Sequence, residues 1–267
     1  MSFALNPLAA PDAEIRRLLI EQTQGAVDAL ANEDILSGLF RARKSIRRAR
    51  SMLRLARGGM RDVPHRTLRN GLRDSARMLS APRDAAVVHQ LMERHSDVLS
   101  VRTLPVVVDS TVIHDARHRL QQLLPLLAET PFETTTRDVL KGFTRGYRSA
   151  RRAMVIARSE LSDENLHAWR KRVKTLRHHL QVLTPLWPAL LDTLTTEAAQ
   201  LQSALGKHRD LMLLSQQVGE LPPQLKSAQR QCEQDAFTRG SRLLAAQDRL
   251  VGAWLRSLWE QQSLEHW

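Results

Sequence analysis

Cysteine and tyrosine each occur once in these 267 residues, as Cys232 and Tyr147. A single cysteine excludes an intrachain disulfide and any thiolate cluster for structural zinc, and it fits a reducing compartment. Cys232 itself reads as a small buried hydrophobe. Aromatic residues make up only 4% of the chain, few for the cross-strand pairs of a sheet protein or the stacking platforms of a single-strand nucleic-acid binder. No stretch approaches the roughly 20 apolar residues of a membrane span. The start, Met1 to Pro7, lacks the basic region and long apolar core of a secretory signal, so the expectation is a cytoplasmic protein without a membrane partner. Familiar catalytic signatures are missing too: there is no Gly-x-x-x-x-Gly-Lys-Ser/Thr loop, no Gly-x-Ser-x-Gly elbow and no Arg-His-Gly triplet.

What the chain has in excess is arginine. It carries 40 basic against 28 acidic residues, a formal charge of +12 and an isoelectric point near 11.1. Six of the 40 are lysine, so the other 34 are arginine. A guanidinium is weakly hydrated, always charged and grips phosphate oxygens with a planar fork, so this bias points toward phosphate. Carboxylate ligands or a GC-rich genome would produce the same composition. With 42% hydrophobic residues the chain has enough apolar surface for a full core, as one large domain or two packed halves.

The basic residues are patterned, and the pattern occurs twice. Residues 166–180 align without a gap on residues 39–53: Arg170 falls on Arg43, Lys171 on Lys44, Lys174 on Arg47, Arg177 on Arg50 and Leu180 on Leu53. Downstream, Leu205-Gly206-Lys207-His208-Arg209-Asp210 repeats Leu79-Ser80-Ala81-Pro82-Arg83-Asp84, at an Arg-to-Arg interval of 39 residues in one copy and 40 in the other. At about 100° per residue, His167, Arg170, Lys171, Lys174, Arg177 and His178 share one side of a helix. Trp169, Val173, Leu176, Leu180 and Leu183 take the other side. In the first copy the cationic side holds Arg43, Lys44, Arg47, Arg50 and Arg54, and the core side Ala42, Ile46, Ala49, Leu53 and Ala56.

A solvent-facing helix normally mixes signs, because oppositely charged i, i+4 pairs help by roughly 0.2–0.5 kcal/mol and like pairs cost about as much. Neither stripe contains a carboxylate. Two such rows in phase point to a bound polyanion that relieves the repulsion. From His167 to His178 the row spans about 16 Å at a helical rise, long enough to face several consecutive phosphates.

Period-two alternation is nearly absent, so the chain is predicted to be all-α. Helices are expected from Asp12, as N-cap, to about Ala31, from about Asp34 to the breaker Gly58-Gly59, from Pro64 to Leu79, from Pro82 to about His95, and from about Ser110 to Leu127. The strand-like run Val101–Val108 reads as an extended connector. Residues 130–136, Thr-Pro-Phe-Glu-Thr-Thr-Thr, read as the junction between halves. Beyond it come a helix from about Arg137 to Arg158, and the second basic helix capped by Ser162 and ending near Pro185 or Pro188. Helices around Leu190–Leu205 and Arg209–Gly219 and a long one from Pro223 to about Trp259 complete the second half. Each half is then a bundle of roughly four or five helices, and the duplication implies a pseudo-two-fold between them.

His167-x-x-Arg170-Lys171-x-x-Lys174-x-x-Arg177, followed by Leu205-Gly206-x-x-Arg209-Asp210 and preceded by Arg145-x-Tyr147-Arg148-x-x-Arg151, resembles the CHAD domain family over about residues 10–260. The resemblance implies a single domain of two pseudo-symmetric helical bundles, one repeat at about 10–130 and the other at about 134–262, packed around a basic central channel. It also implies binding of inorganic polyphosphate and, for some bacterial members, a place on polyphosphate granules. Carried over residue by residue, the family's basic positions are Arg43, Lys44, Arg47 and Arg50 in the first copy and His167, Arg170, Lys171, Lys174 and Arg177 in the second. Where the family has a histidine at the head of the first motif this chain has Phe40, which weakens any role that needs paired histidines and leaves the basic ladder intact.

Around that ladder, Arg54 and His178 extend the two stripes. Lys207 and Arg209 are candidates to lengthen the row, with Asp210 orienting a guanidinium; an inter-helix salt bridge is the alternative for the Arg-Asp pairs. Arg148 and Arg152, one turn apart, are candidates to line the same channel, although arginine-rich helices also simply face water. His114 and His118 have the i, i+4 spacing of metal ligands but no identifiable third ligand, so no metal site is expected there, and no cofactor elsewhere. No carboxylate cluster near the stripes offers a seat for the Mg²⁺ that phosphoryl transfer recruits. The expected activity is therefore non-enzymatic binding of inorganic polyphosphate, with a nonspecific nucleic-acid binder as the alternative the isoelectric point permits. Nucleic acid is expected only as a weak electrostatic competitor. Incubation with long-chain polyphosphate and divalent metal is expected to release no orthophosphate; steady release that is lost on substituting His167 would overturn the non-enzymatic reading.

Overall fold

The computed structural model describes residues 3–99, 107–246 and 248–264, and in these the chain is helical throughout with no strand. The helices are α1 (Pro11–Ala29), α2 (Ile35–Leu55), α3 (Asp62–Met78), α4 (Ser80–Arg94), the short α5 (Ser96–Leu99), α6 (Ser110–Glu129), α7 (Thr136–Ser159), α8 (Asp163–Leu183), α9 (Pro188–Val218), α10 (Pro223–Leu243) and α11 (Asp248–Leu264). Single 3₁₀ turns, Ala56–Gly59 and Thr184–Leu186, follow the two basic helices α2 and α8. Most of the run Val101–Val108 lies outside the described residues. No helix among those described is long and apolar enough to cross a membrane.

Local chemistry explains the starts. Asp34 caps α2 by accepting from the Ser37 N–H at 3.1 Å, and Ser162 caps α8 by accepting from the Asn165 N–H at 3.2 Å. Thr135 and Asp138 close a reciprocal capping box at the start of α7. Asp12 is not a cap: Ala10 occupies that position, Pro11 enters at N1, where its fixed φ suits a helix, and the Asp12 carboxylate sits in the first turn beside the positive end of the dipole.

Three expectations are corrected. The predicted break around residues 205–209 does not exist, because α9 runs unbroken for 31 residues with Leu205, Gly206 and His208 buried along it. The matching stretch of the first copy does break, at Leu79 between α3 and α4. Pro82 there has no N–H to offer the carbonyl one turn back. The helix expected from Pro223 to Trp259 is two: the chain leaves α10 at the buried Leu244, and the Tyr147 hydroxyl donates toward the carbonyls of Leu243 (3.3 Å) and Ala246 (3.1 Å) that the turn frees. Cys232 is half-buried, not core.

One apolar core runs through both halves, from Ile15, Leu18 and Leu39 to Phe143, Trp169, Leu201 and Trp259. The oily backs of the basic helices form its centre: Ala42, Ile46, Ala49, Trp169 and Val173 have no exposed surface at all. A second cluster, Leu211, Leu214, Leu221 and Leu225 with Val88, Leu91 and Met92, fastens α4 of the first half to the far end of α9. The junction between halves packs on the turn after α2. Glu133 donates its N–H to the Gly59 carbonyl at 2.9 Å, and Phe132 and Thr134 are buried.

Close backbone approach sets α7 against the end of α2. A Cβ at Gly142 would stand 2.3 Å from the Leu55 carbonyl oxygen and 2.8 Å from its Cα, so main chain would have to shift. Gly142→Ala is expected to destabilise the fold by roughly 1–3 kcal/mol through overpacking, read as a lower urea midpoint with unchanged slope. An unchanged midpoint would show that the helices yield freely there.

Candidate functional site

The two basic helices face each other and cross where α2 offers Ser51. Its hydroxyl shares a 2.9 Å hydrogen bond with His178 Nδ1, its carbonyl accepts from His179 Nε2 at 3.0 Å, and one turn on, Arg54 Nη1 donates to Thr175 Oγ1 at 2.8 Å. Phe3 packs edge-on against His178 at 6.0 Å and lies under the Arg48 guanidinium at 4.5 Å. On one flank of the crossing, Arg47, Arg50, Arg54, Lys171 and Lys174 line a cavity of about 130 Å³ whose wall includes Ser51, Thr175 and His178. The two rows therefore converge.

Helices α4 and α9 bring in further groups. Arg83 on α4 bonds Asp84 at 3.0 Å and reaches Asp210 on α9 at 3.5 Å, so the Arg-Asp pairs of the two copies meet as an inter-helix ion-pair network. Gly206 on α9 lies against the Arg170 guanidinium. The repulsion on Arg43, Arg47, Arg170 and Lys174 includes Arg83 in each case, which places Arg83 among them. Asp84 and Asp210 are the carboxylates that reach this group of cations, an approach not visible from the stripes themselves.

The electrostatics are strained. Arg170, 8% exposed, and its neighbours Arg47 and Lys174 make no side-chain hydrogen bond or ion pair with any described residue, and Arg170 Nε is buried without a partner. Burial, then repulsion from Arg170, Arg47 and Arg83, pushes the Lys174 ammonium down to about 5. Burial, then Arg43 and Arg170, pushes Arg47 down to about 9. Arg43 and Arg54 fall to about 10, each chiefly by burial. Arg50, Arg170, Lys171 and Arg177 are lowered by the same leading cause. Guanidinium groups stay charged at neutral pH under these shifts, whereas the charged form of Lys174 is disfavoured by burial and by its cationic neighbours.

The remaining sequence candidates are placed as follows. Arg43 is spent partly on its own scaffold, donating to the Ala76 carbonyl (3.0 Å) and Ser80 Oγ (3.2 Å). Arg209 contacts Met212 Sδ at 3.0 Å and stands close enough to depress His167. Arg177 turns toward Gln202 on α9 at 3.4 Å. Lys44 and Lys207 are exposed and line none of the cavities described here. His178, placed on the cationic side by the helical wheel, is 8% exposed and held in the helix crossing. Arg148 and Arg152 line a separate cavity of about 430 Å³ between α7 and α8, with Arg145 and Arg172. Phe40 is half-buried. The rings of His114 and His118 stack 6.5 Å apart at the surface, with His118 bonded to Gln122. Sequence reasoning missed Arg83 as a member of the site and Arg172 altogether. The first was signalled by its alignment with Arg209; the second sits on a helix flank that only α7 turns into a wall.

The site is thus an all-α arrangement in which α2 and α8 line a small cavity with cations, with Arg83 of α4 and Arg209 of α9 nearby. The CHAD domain family profile matches residues 14–219, and the chain belongs to that family. Its fold is similar to the crystal structure of the CHAD domain from the plant Ricinus communis, with a TM-score of 0.55 at 17% identity, covering 92% of this chain and 96% of that one. No curated protein matches the chain.

Acid sensitivity follows from the buried imidazoles. Burial, with nearby cations, holds His167 down at about 4, and His178 well below its ordinary range; His179 also stands at about 4 through burial. Between the ordinary histidine value of 6.5 and about 4, the unfolded chain binds protons the folded one refuses. Stability from these groups is complete above that window and is lost as pH falls through it. The urea midpoint of the ligand-free protein is expected to drop between pH 7 and pH 4.5, and a flat midpoint across that range would show the imidazoles protonated in place.

Proposed function

We propose that this protein binds inorganic polyphosphate, without turnover, on the cations that α2 and α8 hold against each other, with Arg83 and Arg209 at the edge. The observation that carries the reading is the unpartnered trio of Arg47, Arg170 and Lys174, desolvated among like charges. Folding leaves that repulsion in place, and a row of phosphate oxygens relieves it. An anion beside Lys174 favours its charged form, against the burial and repulsion that disfavour it. The family's relation to polyphosphate supports the same ligand, and it supports a place on polyphosphate granules. Nucleic acid remains an electrostatic competitor, since the cavity at Arg47 and Lys174 is lined by no Phe, Tyr or Trp on which a base would stack.

The decisive measurement is affinity for polyphosphate across a salt series, with duplex DNA at matched phosphate concentration. Polyphosphate is expected to displace DNA, and the logarithm of its affinity to fall linearly with that of salt. Charge reversal at Lys171 and Lys174 together is expected to weaken binding by at least about tenfold, with helical circular dichroism unchanged, each charge-assisted contact being worth about 1.5–3 kcal/mol. Lys174→Met is expected to weaken binding yet raise ligand-free stability by roughly 1 kcal/mol, because it removes a buried, repelled amine. DNA binding tighter than polyphosphate, or binding indifferent to Lys171 and Lys174, would overturn the reading.

A further inference from the structure

Several arginines of this protein are paired with acids: Arg17 holds Glu14 and Glu21, Arg73 and Arg77 hold Asp74, and Arg239 holds Glu197. Others are gathered with like charges. Beside the crossing of α2 and α8 lies a cavity of about 480 Å³, walled by Arg54, Arg57, Arg69, Arg145 and Arg172 with the buried His65 and His179 beneath, and no carboxylate lines it. These arginines come from four separate pieces of chain: α2 with its 3₁₀ turn, α3, α7 and α8. Arg57 has a partner in Asp62, but Arg69, Arg145 and Arg172 make no ion pair among the described residues. Packing alone gives no reason to collect like charges from four segments.

The cavity shares lining residues with its neighbours. Arg54 and Thr175 line both it and the smaller cavity at Arg47 and Lys174. Arg145, Ser149 and Arg172 line both it and the groove of Arg148 and Arg152. Set side by side by these shared residues, the three make up a trough that steps from the helix crossing, past the Arg54–Thr175 hydrogen bond, along α7. None of its three parts is lined by a carboxylate or by Phe, Tyr or Trp. A bare polyanion fits such a surface; a nucleic acid would find phosphate contacts but no face for its bases.

We propose that the trough is a second arm of the binding surface, so that a long polyphosphate chain leaves the helix crossing sideways past Arg54 and runs over Arg69 and Arg145 along α7. The inference rests on the polyphosphate reading and adds to it a path and a dependence on chain length. A ligand no longer than the cavity at Lys174 uses that cavity alone. A longer one gains the arm, and with it more released counterions and a steeper salt dependence.

The test compares tripolyphosphate with long-chain polyphosphate on the wild-type protein and on the double variant Arg69→Ala/Arg145→Ala. Both positions are solvent-exposed, and circular dichroism and the urea midpoint check that the variant is folded. The variant is expected to bind long chains about tenfold more weakly, with a salt slope shallower by about one to two, while tripolyphosphate affinity is unchanged. Arg69→Lys/Arg145→Lys, which keeps the charge, is expected to recover most of the long-chain affinity. Unchanged long-chain binding by the alanine variant would overturn the arm and leave the site at Lys174 standing. Equal loss for both ligands would merge the cavity into the primary site and overturn it as an extension. A wild-type protein that binds neither ligand would defeat the underlying reading instead.

Discussion

Everything in this molecule depends on two amphipathic helices whose apolar backs pack into the core, α2 mainly against α1 and α8 against α7 and α9, while their polar faces are held toward each other and repel. The backs are fully committed: Ile46, Ala49, Trp169 and Val173 have no solvent contact. Fully burying a large apolar side chain contributes about 1.5–3 kcal/mol, and a dozen such groups on α2 and α8 outweigh the repulsion between the rows. The polar stitches at Ser51 then fix the register. Because His178 and His179 both bond the same serine, one through its hydroxyl and one through its carbonyl, neither helix can slide by a turn without orphaning a buried imidazole.

That arrangement separates the residues that hold the fold from those of the proposed site, although both sit on the same two helices. The side of α8 that carries Trp169, Val173 and Leu176 is buried in the core, and the side that carries Arg170, Lys171 and Lys174 gathers charge. The two requirements conflict where a basic group is drawn inward, as at Lys174, at a cost in stability. Arg83 shows the compromise at its most local. It is neutralised by Asp84 and Asp210, and in the same position it ties α4 to α9 across the two halves. The apolar cluster of Leu211, Leu214 and Leu225 with Val88 and Leu91 makes that tie durable.

The two aligned stretches differ in structure where backbone chemistry requires it. His208 continues a helix that Pro82, its counterpart, cannot. The second copy therefore presents its Arg-Asp pair from the middle of a 31-residue rod, while the first presents it from the start of a separate helix. Phe40, standing where the second copy has His167, removes one titrating group without disturbing the ladder behind it.

The sequence by itself determined the helical class, the phase of both stripes and the identity of the cations, because a 3.6-residue period and the absence of carboxylates are local properties. Most helix starts were equally legible, since Asp34, Thr135 and Ser162 act on N–H groups within three residues. The break at Leu244 was not, because it is accompanied by a bond from another element, Tyr147 to the freed carbonyls; continuity through residues 205–209 follows from His208, which unlike Pro82 keeps its N–H, and was overlooked. Only the tertiary structure decided which cations are driven together. Arg47, Arg83, Arg170 and Lys174 lie on three helices far apart in the chain, and the desolvation and repulsion that define the site exist only once packing has brought them within reach of one another.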